Sequence, residues 1–141
     1  MSAMEAVKTL HTSMIDTERA YDKAQNETDD PALRAFFWDM MALRERSHDE
    51  LHRVLLDMGQ KPDESGSFMT TVHQTVIGLR AATVGIGRGA LRAFIDGEEH
   101  ILSEYDKALQ QDDLYPETAA LLRRQRASLA EKIAQMEDLS A

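Results

Sequence analysis

Glu45 and His48 stand three residues apart in the stretch Met41-Ala42-Leu43-Arg44-Glu45-Arg46-Ser47-His48-Asp49-Glu50-Leu51, which reads as the middle of a long helix. On a helix that spacing sends both side chains out from nearly one face. Phe37 and Met41 precede the pair on that face, and Leu51, Leu55 and Met58 follow it. A carboxylate and an imidazole aimed into an apolar seam cost on the order of several kcal/mol unless each finds a partner. A metal ion is one such partner, because Glu-x-x-His supplies two ligands from one helix in carboxylate metal centres built inside bundles. A buried hydrogen-bond network is the other. The motif is short enough to occur by chance, so the remaining helices must decide between the two.

Two further carboxylates fall on apolar stripes. Met4, Val7, Leu10, Met14 and Tyr21 make one helical face, and Glu18 lies on it four residues after Met14 and three before Tyr21, with Thr17 as the alternative inward residue. Leu91, Ile95, Leu102, Tyr105 and Leu109 make another, and Glu98 fills the gap after Ile95. Glu99 and His100 each turn about 100° further round and read as surface groups. Glu18 lies thirteen residues before Pro31 and Glu45 fourteen after it, so a tight hairpin sets Glu18 level with Glu45 and His48. The expected site is therefore Glu18, Glu45, His48 and Glu98, a set suited to Fe, Mn or Zn. One ion is expected rather than two. Where a second Glu-x-x-His would stand on the last helix, the inner residues are Gln125 and Ser128, and Glu131 turns away from the stripe. Whether Gln125 and Ser128 complete the site stays open at this point.

These residues require four long helices. The first spans about Ser2 to Asn26. A turn follows, in which Asp30 caps the next helix and Pro31 takes its first position, where no amide donor is needed. The second helix runs to about Met58 and stops at Gly59. Gln60 to Ser67 is loop-like and opens a long crossover, which holds a short helix over Phe68 to Thr83 with Val72, Val76 and Leu79 on one side and Ser67 as its cap. Val84-Gly85-Ile86-Gly87-Arg88-Gly89 has neither the spacing nor the Gly-Lys-Ser/Thr ending of a phosphate loop and serves as a break. The third helix spans Ala90 to about Gln111. The fourth runs from Pro116 to about Leu139, with Leu122, Leu129, Ile133 and Met136 as its stripe. Two hairpins joined by a crossover give an all-α, ferritin-like four-helix bundle with an extra short helix in the crossover, as one domain over residues 1–141. Phe36, Phe37 and Trp38 are consecutive and cannot all enter one core, so a second apolar surface is expected, either a dimer contact or a wide wrapped face.

A net charge of -9 argues against nucleic acid and anionic membranes as partners. Arg123, Arg124 and Arg126 are expected to pair with acidic neighbours on other helices. The absence of cysteine excludes thiolate chemistry and sulfur-ligated metal. The first residues carry no apolar run of signal-peptide length, and no segment approaches the ~20 apolar residues of a membrane span, so a cytoplasmic protein is expected.

The segment from Asp57-Met58-Gly59-Gln60-Lys61-Pro62 through Ser65-Gly66-Ser67, the step Gly97-Glu98-Glu99 with Tyr105 after it, and Pro116 leading to Arg124-Gln125 resemble the uncharacterised bacterial ferritin-like four-helix-bundle proteins, a domain of unknown function related to rubrerythrin-type folds. The resemblance covers nearly the whole chain. It implies the fold and no established reaction. The functional expectation is a bundle with a partial, degenerate carboxylate and histidine metal site, directed to metal binding or to iron and oxidant handling in stress, with Tyr21 or Tyr105 as outer donors and a small-molecule substrate that the sequence does not identify. The alternative is a metal-free structural or interaction module without catalysis, in which Gln125, Ser128 and an arginine from the Arg123 to Arg126 run satisfy the inward carboxylates and His48 is protonated or hydrogen-bonded.

Overall fold

A computed structural model describes residues 1–66 and 87–141. Among these residues there are four α-helices and no strand: α1 (Ala3–Glu27), α2 (Pro31–Asp57), α3 (Leu91–Leu109) and α4 (Pro116–Ser140), with a 3-10 turn over Arg88–Ala90 leading into α3. The short helix expected over Phe68 to Thr83, with its Ser67 cap, lies outside the described residues. No helix among them is long and apolar enough to cross a membrane.

The ends of the helices follow from local chemistry. Ser2 and Glu5 form a capping box, in which the Ser2 hydroxyl accepts from the Glu5 amide and the Glu5 carboxylate accepts from the Ser2 amide. At the start of α2, Asp30 accepts from the amides of Ala32 and Leu33, and Pro31 occupies the first turn. At its end, Gly59 (φ 76°) donates to Leu56 O and Gln60 donates to Leu55 O, the paired bonds of a Schellman close. The α1–α2 turn is fastened by Arg34, which donates to Gln25 O and, at 2.6 Å, to Thr28 O.

α1 packs along α2 and α3 along α4, while α1 also meets α3 and α2 meets α4. Polar crossties help to hold the hairpins together: the Ala3 amide donates to Asp113 Oδ1 in the α3–α4 turn at 2.9 Å, and Arg88 Nε pairs with Asp30 Oδ2 in the α1–α2 turn at 3.5 Å. In the core, Tyr21 stacks on Phe94 (5.1 Å between ring centres) and Phe37 leans on the same ring (5.4 Å). Arg126 pairs with Asp106 at 2.7 Å and Arg124 with Glu50, so the basic run on α4 joins neighbouring helices as expected. Phe36 and Phe37 are buried, and Trp38 is 55% exposed on the outer side.

The inward face of α2 differs from the expected one. It consists of Leu33, Phe36, Phe37, Met40, Leu43, Arg44, Ser47, Leu51 and Leu55. That face lies one position back from the Met41–Glu45–His48 line. Burying Phe36, Met40 and Leu43 beside Phe37 and Leu51 covers more apolar surface, and the aliphatic stem of Arg44 completes the row. Glu45 is then left in water, where its charge is solvated without cost.

Candidate metal centre

Three imidazoles converge on the outer edge of the α1–α2 groove. His48 and His52 are four residues apart on α2 and therefore share a face. His11 enters from α1, one residue after the core residue Leu10. The ring centres form a triangle of 4.8 Å (His11–His48), 5.7 Å (His11–His52) and 5.8 Å (His48–His52). Glu64, in the turn beyond α2, closes the group. Its Oε2 lies 2.5 Å from His48 Nε2, and its Oε1 contacts His52 Nδ1 and lies 3.3 Å from His11 Nε2. One ligand atom from each of the four residues lies within 4.8 Å of the others.

Burial grades across the group. The His11 side chain is 2% exposed, His48 18%, His52 35% and Glu64 46%, so the cluster is a socket with an apolar floor and a wet rim. Burial, ahead of the opposing pull of Glu64, lowers the His11 imidazole from its ordinary value and so favours the neutral form, the one that ligates a metal. Burial pushes the Glu64 carboxyl up, but the hydrogen bonds with His48 and His52 outweigh it and hold the group low and ionised. The decisive atom is His11 Nε2. It is fully buried and faces Glu64, yet it makes no hydrogen bond. An unsatisfied buried nitrogen costs about 1–3 kcal/mol, and a cation held by the carboxylate would satisfy it. Three imidazoles and one carboxylate are a donor set for a first-row divalent ion; the 3.3 Å between His11 Nε2 and Glu64 Oε1 matches the ligand–ligand separation set by bonds of about 2.0–2.1 Å to a tetrahedral ion, while the contacts of His48 and His52 with Glu64 are of hydrogen-bond length.

The expected set of Glu18, Glu45, His48 and Glu98 is only partly brought together. Glu18 is half-buried on α1. Burial and, after it, the charge of Glu45 raise its carboxyl above the usual range, with His48 acting in the opposite direction. Glu18, Glu45 and His48 are thus at one level of the hairpin, as the residue count to Pro31 implied. Glu98 is buried, but it stands apart from the other three, in a salt bridge with Arg44. Arg44 also reaches Met14 Sδ at 3.4 Å and is itself 1% exposed. A guanidinium therefore occupies the centre of the bundle where a cation was expected. Gln125 is buried and is used by its neighbours: it accepts from the Tyr105 hydroxyl at 2.9 Å and its amide nitrogen faces Ser47 O and Glu50 Oε1. Tyr105, pushed up to about 12 mainly by burial, is a neutral donor in that network.

Sequence reasoning passed over His11, His52 and Glu64. The i, i+4 pair His48–His52 is a ligand spacing in its own right. His11 also lies twenty residues before Pro31 and His52 twenty-one after it, so the count that aligned Glu18 with Glu45 aligns these two as well. Glu64 left no signal, because periodicity does not reach into a loop.

The family model of the domain of unknown function DUF2383 matches residues 2–111. The chain belongs to the DUF2383 family. The DUF2383 span takes in α1, α2 and α3 and so contains the four residues of the cluster together with Arg44 and Glu98. No curated protein matches the chain.

Proposed function

We propose that this DUF2383 protein is a metal-binding helical bundle of the ferritin-like kind, holding one Zn, Fe or Mn ion on His11, His48, His52 and Glu64. The observation that carries the reading is the buried, unbonded His11 Nε2 facing the Glu64 carboxylate. Of the four residues singled out by spacing, His48 stays a ligand. Glu18 and Glu45 are flanking carboxylates that favour the cation's approach, and Glu98 is engaged by Arg44. Iron or oxidant handling under stress is the activity this reading extends to, in a cytoplasmic homodimer whose contact includes Trp38. Metal analysis of the purified protein, with calorimetric titration of the metal-stripped form, tests the centre. About one ion per chain is expected, with binding lost in the double variant His48→Ala/His52→Ala. Absence of uptake and of any thermal shift with Zn(II), Fe(II) and Mn(II) would overturn it.

A second reading, a metal-free structural module, is favoured by one observation. The bundle's inward carboxylate Glu98 is already neutralised by the chain's own Arg44. It differs from the first in requiring that the double histidine variant leave thermal stability unchanged in the presence of each ion.

A further inference from the structure

Three members of the cluster stand on rigid helices and the fourth does not. Glu64 lies seven residues beyond Asp57, the last residue of α2, in a turn that comes back over the α1–α2 groove. A ligand on a loop reaches its place only if the loop is ordered, at a cost of roughly 1–2 kcal/mol per residue fixed. Three features order it. Asp63 Oδ1 accepts from the Ser65 amide at 2.9 Å and from its hydroxyl at 2.6 Å, closing the turn. Gly66 adopts φ 77° and presses on α1, where an added Cβ would stand 2.7 Å from Arg19 Nη1, 2.9 Å from Asp16 Oδ1 and 3.3 Å from Ile15 Cγ2. Arg19, exposed on α1, spans two successive carbonyls, with Nη1 donating to Ser65 O at 2.9 Å and Nη2 to Glu64 O at 3.4 Å. A guanidinium fork fits two adjacent acceptors in a way a lysine ammonium does not.

We propose that Arg19 is the positioning residue of the metal centre: it straps Asp63–Gly66 to α1 and thereby delivers Glu64 to the three helix-borne imidazoles. This rests on the metal reading above and adds a division within the site. The α1–α2 hairpin alone offers a three-histidine seat with an open position towards solvent, and docking of the strap closes that position. Strap docking and metal retention are then coupled, so metal leaves through the undocked state.

The test uses Co(II), whose visible absorption reports coordination number, on the metal-stripped full chain with chelator competition for affinity. Arg19→Ala and Gly66→Ala should each weaken Co(II) binding about 10–100-fold, the usual effect of removing a group that orients a ligand. Both should reproduce the altered Co(II) spectrum of Glu64→Gln, and Arg19→Lys should recover only part of the loss. The double variant Arg19→Ala/Glu64→Gln should be no worse than Glu64→Gln alone, because both act through one carboxylate. The metal-free melting temperature of Arg19→Ala should match wild type, which separates positioning from a structural effect. Wild-type affinity and spectrum in Arg19→Ala, or losses that add in full, overturn the strap and leave the metal centre standing. Failure of wild type to bind Co(II) overturns the centre and the strap with it.

Discussion

Arg44 and Glu104 are buried side chains whose charged forms burial disfavours. Arg44 is buried against Glu98, and its Nε has no hydrogen-bond partner among the described residues. Buried pairs contribute little net stability, yet removing one partner strands the other. Arg44→Met should therefore cost about 3–5 kcal/mol in urea unfolding, while Arg44→Met/Glu98→Leu should recover most of that loss. Glu104 is buried on α3 and accepts from the Ser13 hydroxyl at 2.7 Å. Burial raises its carboxyl above the ordinary value despite that bond and the nearby cations. The folded state thus holds the Glu104 proton more tightly than the unfolded chain does, so ionisation penalises folding above the raised value and the penalty vanishes below the unfolded value. Glu104→Gln keeps an acceptor for Ser13 and removes the charge. Melting curves should show it more stable than wild type near neutrality, by about 2–4 °C for each kcal/mol relieved, with the difference shrinking as the pH falls through the carboxylate range.

At the scale of the helices, punctuation was legible and rotation was not. Asp30, Pro31, Gly59 and Pro116 fixed element ends to within a residue or two because each acts through its own backbone. Gly59 sits in open space with a left-handed φ, so Gly59→Ala meets no neighbour and only backbone strain. It should lower stability by about 1 kcal/mol, measured by chemical denaturation. The inward face of α2 was harder to read because apolar residues come in adjacent pairs, Phe36–Phe37 and Met40–Met41, and a periodicity argument fits either member. The choice turned on Arg44. Its charge argues for solvent and its long stem for the core, and only the presence of Glu98 across the bundle resolves the conflict. That partner is fifty-four residues away and has no local signature. Glu18 and Glu45 were correctly levelled and His11 and His52 were overlooked for one reason: the count across Pro31 was applied to carboxylates alone.

For the molecule as a whole, the two hairpins do different work. α1 and α2 carry the imidazoles, whereas α3 and α4 supply core and crossties and contribute no ligand to the cluster. Added Zn(II) should therefore raise the melting temperature by an amount that grows with its concentration, because an ion that binds only the folded hairpin shifts the equilibrium by mass action. Lowering the pH through the imidazole range should abolish that increment, since protons compete for the same nitrogens. Differential scanning calorimetry with and without Zn(II) at pH 7.5 and 5.5 measures both effects.

The only tryptophan, Trp38, stands on the outer side of α2 with more than half its surface in water. Its native fluorescence should already be red-shifted and readily quenched by iodide, and unfolding should change the signal little. An indole there is a poor witness to the loss of the core but a sensitive one to anything that settles on that side of the helix. A blue shift at rising protein concentration would register such an encounter directly.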